Sequence, residues 1–152
     1  MRYLTFAVSV ALVAACNKAE KPAAEPAATP PPPPVLEPVR LADVAGVWMI
    51  KGSSAAGDSL LAYTIVATAD TTGWTITLPG RKPMALKVSV AGDSIMTDVG
   101  PFESVLRPGT KVSTHSVMRV QGDQMAGTTT AHYQTSGADS VATLRAEGTR
   151  KP

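Results

Sequence analysis

A short echo recurs through the chain and limits its fold more than any other feature. Ala56-Gly57-Asp58-Ser59-Leu60 returns as Ala91-Gly92-Asp93-Ser94-Ile95. Gln121-Gly122-Asp123-Gln124-Met125 is a looser copy, and Gly137-Ala138-Asp139-Ser140-Val141 is looser still. Gly-Asp between apolar runs suits a two-residue type II′ hairpin, because glycine takes the first central position at positive φ. Pro108-Gly109 reads as a further turn of type II. A chain that doubles back at such short intervals builds antiparallel β structure from sequential neighbours.

The runs between these turns agree. Trp74-Thr75-Ile76-Thr77-Leu78 and Leu86-Lys87-Val88-Ser89-Val90 alternate apolar with polar residues, and no long segment has the i, i+3, i+4 helical pattern. Pro79, Pro83, Pro101 and Pro108 fall between the runs, where a missing N–H is harmless. Strands are expected near 45–51, 59–69, 72–79, 84–91, 94–106, 110–121, 124–135 and 139–149. Turns at Gly92-Asp93 and Gly122-Asp123 pair Val90 with Ile95, Val88 with Thr97, Val120 with Met125 and Met118 with Gly127. One face then collects Leu86, Val88, Val90, Ile95, Met118, Val120, Met125 and Tyr133, and the other Lys87, Ser89, Ser113, Arg119 and Thr130. Both hairpins give the same sidedness, which supports the register. The expected fold is all-β: a single antiparallel up-and-down meander of about eight strands over residues 41–152, closed into a small barrel. A two-sheet sandwich is the alternative.

Residues 41–152 hold ten Lys/Arg and nine Asp/Glu with the signs interspersed. Such a balance offers no basic stripe for nucleic acid and no acidic store for cations. Enzyme signatures are missing too: there is no G-x-S-x-G elbow, phosphate loop, HExxH or EF-hand pattern. Asp58, Asp93 and Asp123 follow turn glycines, and turn formation accounts for them. No catalytic residue and no cofactor is assigned. His115 and His132, the two histidines, fall on the outward face as diagonal neighbours roughly 7 Å apart. A metal would need a third ligand and none is evident, so no metal site is assigned and they read as solvated strand residues.

Two groups of residues remain as binding candidates. Trp48, Tyr63, Trp74, Met118, Met125 and Tyr133, with Met84, either fill the core or line a ligand cavity. The segment 100–109, with Phe102, Glu103 and Arg107, is either a barrel corner or a rim loop that gates a cavity or meets a partner.

The N-terminus carries an address. Arg2, the apolar run Tyr3–Val13 and the small Ala14 and Ala15 have the parts of a secretory signal. That run is shorter than the roughly 20 residues needed to span a bilayer. The sole cysteine follows at once, and Val13-Ala14-Ala15-Cys16 resembles the lipobox of bacterial lipoproteins. The resemblance implies a signal peptide over 1–15, lipidation of Cys16 and attachment to a membrane of the cell envelope. Asn17, where aspartate would retain the protein at the inner membrane, implies sorting to the outer membrane of a diderm cell. The domain would then lie in the periplasm or at the cell surface. Residues 16–40, with Pro22, Pro26, Pro30 to Pro34 and Pro38, read as a disordered Pro/Ala-rich tether. A proline-motif ligand for a partner is the alternative there.

Gly46-Val47-Trp48 resembles the G-x-W signature of lipocalins. In that family the tryptophan crosses the closed barrel end beneath an arginine, a role open here to Arg145 or Arg150. Thr97-Asp98-Val99 resembles the lipocalin T-D-Y loop, with valine replacing tyrosine. Three functions follow in order: a non-enzymatic binding or interaction module on an envelope lipoprotein; a lipocalin-like carrier of a small apolar ligand; and a hydrolase with an unrecognised site. The partners expected are the membrane, an envelope protein or a small apolar molecule.

Overall fold

The computed structural model describes residues 38–152. The signal peptide, Cys16, Asn17 and most of the tether lie outside the described residues. After a single helical turn, α1 (Leu41–Val44), come the strands β1 (Gly46–Ser53), β2 (Ser59–Ala67), β3 (Thr75–Thr77), β4 (Met84–Ala85), β5 (Lys87–Ala91), β6 (Ser94–Glu103), β7 (Lys111–Gln121), β8 (Gln124–Tyr133) and β9 (Val141–Arg150). All nine belong to one antiparallel sheet in the order β4-β3-β2-β1-β9-β8-β7-β6-β5.

Strands β4 and β5 are two halves of one extended run, separated by Leu86. The first half pairs with β3 and the second with β6. Leu86 donates its amide to the Trp74 carbonyl at 2.9 Å. One run of chain therefore joins both edges of the sheet, which curls into a nearly closed barrel of eight runs. The sandwich is not formed.

The hairpin register follows the turns. Ala91 pairs with Ser94 and Gln121 with Gln124, leaving two-residue loops in which Gly92 and Gly122 have φ of 57° and 59°. Val90 pairs with Ile95, Val88 with Thr97, Val120 with Met125 and Met118 with Gly127. At Pro108-Gly109 the Thr110 amide bonds the Arg107 carbonyl at 3.1 Å, and Gly109 has φ of 80°, as a type II turn requires. The other two echoes behave differently. Gly57-Asp58 lies in a longer loop, since Ser53 pairs with Ser59, and 138–140 forms a 3-10 turn. Thr97-Asp98-Val99 sits within β6, not in a loop.

Side-chain volume divides the interior. The large residues Trp48, Trp74, Ile50, Ile65, Ile95, Met118 and Met125 are fully buried towards the end that α1 covers. Two glycines make room for them. Gly127 faces Met118, and a Cβ there would collide with the Val117 carbonyl oxygen; Gly148 lies between Met125 and Ile50, and its Cβ would meet Ile50 Cδ1. A smaller cluster of Val112, Ala131, Tyr133 and Leu144 occupies the other half. Val90 shares the inward register yet is 37% exposed, one residue before its strand ends at the Gly92-Asp93 turn.

Candidate functional site

The closed end is a plug built around Trp48. Its indole N–H donates to the Val44 carbonyl at 2.9 Å, so the ring is buried without an orphaned donor. The Arg150 guanidinium lies 4.5 Å from the ring centre. It also donates to the carbonyls of Ala45 and Asp43 and pairs with Asp123 at 2.9 Å. Gly46 permits this approach: it has φ of 144°, and a Cβ there would press on Arg150 Nη1 at 3.1 Å. Arg145, the other candidate cap, is exposed on the outer face opposite Ser53 and Thr128. Trp74 has its own anchor, an N–H donated to the Asp70 carbonyl at 2.7 Å. Asp70 in turn accepts the Thr72 amide and hydroxyl, each at 2.7 Å, which holds its carboxyl below its ordinary pKa. Trp48, Trp74 and Met118 are thus packed core; Met125 is buried with them and also lines a second, more open pocket beside Ile50, Tyr63 and Gly148; Met84 is half-buried against this core.

The other half of the barrel is hollow. A cavity of about 70 Å³ is lined by residues including Tyr63, Ile65, Leu86, Val99, Phe102 and Tyr133. Short side chains explain it. Thr97 pairs with Ser116 and Ser116 with Thr129, so three hydroxyl residues sit side by side where the closed half carries large apolar ones. Ser116 and Thr129 bond each other at 2.8 Å. Burial pushes the Tyr63 hydroxyl above its ordinary pKa, and hydrogen bonding with Thr129 partly opposes this. No fully buried side-chain nitrogen or oxygen among the described residues lacks a partner. The cavity therefore presents mainly apolar walls with a bonded Ser116–Thr129 hydroxyl pair. Of the residues proposed from sequence to line it, Tyr63 and Tyr133 do so. The hydroxyl row was missed, although Thr114 and Ser116 stand at inward positions between Val112 and Met118.

Segment 104–110 borders the hollow end. Ser104 Oγ accepts the amides of Leu106 and Arg107 at 3.1 and 3.0 Å, and the Ser104 amide bonds the Thr110 carbonyl at 2.8 Å. Glu103 accepts the Gly109 amide at 3.3 Å. Phe102, Val105 and Leu106 face the cavity, and the Arg107 guanidinium sits 4.0 Å from the centre of the Tyr133 ring. Arg107 also donates to the Asp139 carbonyl, tying this loop to its neighbour.

A cleft lies outside the barrel wall, lined by residues including Lys87, Asp98, Val99, Thr114, His115 and His132. Its volume is about 230 Å³. His115 is opposite Thr130, as the register requires, but its Nδ1 lies 2.7 Å from Asp98 Oδ1. Among the described residues no three His, Cys, Asp or Glu side chains gather as a metal site would need, and no Asp, Glu or His is buried. No protein-family model matches the chain, and no curated protein or solved structure matches it either.

Proposed function

We propose that this protein is a lipid-anchored lipoprotein of the cell envelope whose barrel is a non-enzymatic binding module. Its site is the cavity of the hollow half. The cavity carries the reading: a barrel plugged at one end by Trp48 and Arg150 keeps about 70 Å³ open at the other. That is about half the volume of an engineered apolar cavity that admits benzene. It suits a small apolar group or the end of a longer one, and it is far below the ~300 Å³ or more of pockets that enclose whole drug-sized ligands. The plug supports the lipocalin-like reading, because a tryptophan beneath an arginine is what that resemblance implies. The exposed carboxylates and histidines lack the desolvated setting that tunes a general acid or base, which favours binding over hydrolysis.

Anchoring at Cys16, with Asn17 directing the protein to the outer membrane, rests on the lipobox. Mass spectrometry of the native protein extracted in detergent tests both halves of the reading. The expected result is a mature N-terminus at a triacylated Cys16, with a small apolar molecule copurified. An unmodified Cys16, or an N-terminus elsewhere, overturns the anchoring.

A further inference from the structure

The barrel wall has a seam where its two edges diverge. Strand β5 pairs with β6 only from Lys87 opposite Asp98 to Ala91 opposite Ser94. Beyond Leu86 the chain turns away, and β4 pairs with β3 instead. Residues 99–103 of β6 therefore have a strand neighbour only on the β7 side among the described residues. The β6–β7 register also breaks between Val99 and Phe102. At this seam the inner cavity and the outer cleft meet: Val99 and Thr114 line both. A partition one residue thick separates an apolar hollow from a polar basin.

The chemistry of the two compartments differs. Inside, the walls are mainly apolar and the Ser116 and Thr129 hydroxyls bond each other, so a charged group entering would lose its water with little compensation. Outside, Lys87 has no ion pair among the described residues and His132 no side-chain hydrogen bond, while Asp98 Oδ1 is taken by His115. At the far end of the barrel, segment 104–110 is braced by its own bonds and by Arg107 on Tyr133.

Resting on the cavity-binding reading above, we propose that the seam between β4 and β6 is a portal, and that the paired compartments bind a small anionic amphiphile. Its apolar end occupies the cavity past Val99. Its acidic head stays in the cleft against Lys87 and His132. The head group is recognised by charge and hydrogen bonding at an exposed site, so its contribution is modest and the tail supplies the rest.

Amide shifts of the full-length chain, isotopically labelled and held in lipid nanodiscs, test this with hexanoate and its neutral counterpart hexanamide. Hexanoate is expected to shift Lys87, Val99, Thr114 and His132 and to bind about three- to five-fold more tightly than hexanamide. Lys87→Gln, an exposed change that leaves the core intact, should remove that preference, whereas Lys51→Gln should keep it. Equal binding of the two probes overturns the acidic-head assignment while leaving the cavity reading in place. Shifts confined to Val105, Leu106 and Tyr133 overturn the portal, since entry would then be through the loop end. No shift at any cavity-lining residue with either probe overturns the cavity reading itself.

Discussion

The Arg150 guanidinium covers the Trp48 ring at 4.5 Å, which joins the last strand of the barrel to the first. The same group bonds two carbonyls at the end of α1 and the Asp123 carboxylate. Arg150→Ala removes the cation–π contact and leaves these carbonyls to water, at a cost of about 2 kcal/mol. Arg150→Lys keeps a charge near the ring but cannot reproduce the planar fork, so it should fall between the two. Urea midpoints at constant m-value read the order. Equal stability of Arg150→Ala and the parent would remove the plug from the account of the fold.

Two inward residues of β8, four apart, should respond oppositely to added volume. Gly127→Ala drives a methyl into the backbone of β7, which cannot yield, and should cost about 3 kcal/mol. Ala131→Val adds its methyls to the hollow half and should change stability by less than about 1 kcal/mol. Loss of cavity binding in Ala131→Val, with stability kept, would place the ligand where the void is.

Tyr63 makes stability depend on alkaline pH. Its folded-state pKa lies above the ordinary 10.0, chiefly because the hydroxyl is desolvated. In the unfolded chain it ionises near its ordinary value, so above that pH the unfolded state gives up the proton first. The contribution is complete below pH 10 and is lost as pH rises towards the folded value. Tyr63→Phe should flatten the fall in urea midpoint between about pH 9 and 11. An unchanged slope would count against the buried hydroxyl.

Asp70 acts at the other extreme. Bonds from Thr72 lower its pKa, so its share of stability is present above the ordinary 3.8 and disappears as pH falls through the lower folded value. The turn it makes carries the carbonyl that receives the Trp74 indole. Asp70→Asn is expected to reduce the acid-induced change in tryptophan fluorescence that reports Trp74. A parent-like acid titration of that signal would dissociate the turn from the ring.

Register was readable from sequence where a two-residue turn met strict alternation, as at Gly92-Asp93 and Gly122-Asp123. There, one position fixes every pair that follows. Gly57-Asp58 carried the same letters without that outcome, because loop length is decided by where β1 bulges between Gly52 and Ser53. Burial was harder to read than sidedness. Val90 has an inward register yet is 37% exposed, and local alternation does not show where along a strand the core stops. The cavity was legible only in part. Aromatic and methionine residues marked volume filled, while the void came from Thr97, Ser116 and Thr129 meeting on three adjacent strands. That meeting depends on β6–β7 pairing across the seven-residue segment 104–110, and no local motif specifies its register. Asp98 beside His115 escaped notice for the same reason.

Both ends of the described chain gather at the Trp48 pole. Val39 bonds the Gly92 carbonyl at 2.9 Å, and Lys151 bonds the Val47 carbonyl at 2.7 Å. The opposite pole is made only of connections between strands, the segments around 54–58, 78–83, 104–110 and 134–140. Ends that close the barrel and loops that frame its hollow are thus separate parts of the molecule. Loops can lengthen, shorten or change residue type without disturbing the closure, so the shape of the hollow can be altered by editing four short segments while the Trp48 pole stays intact.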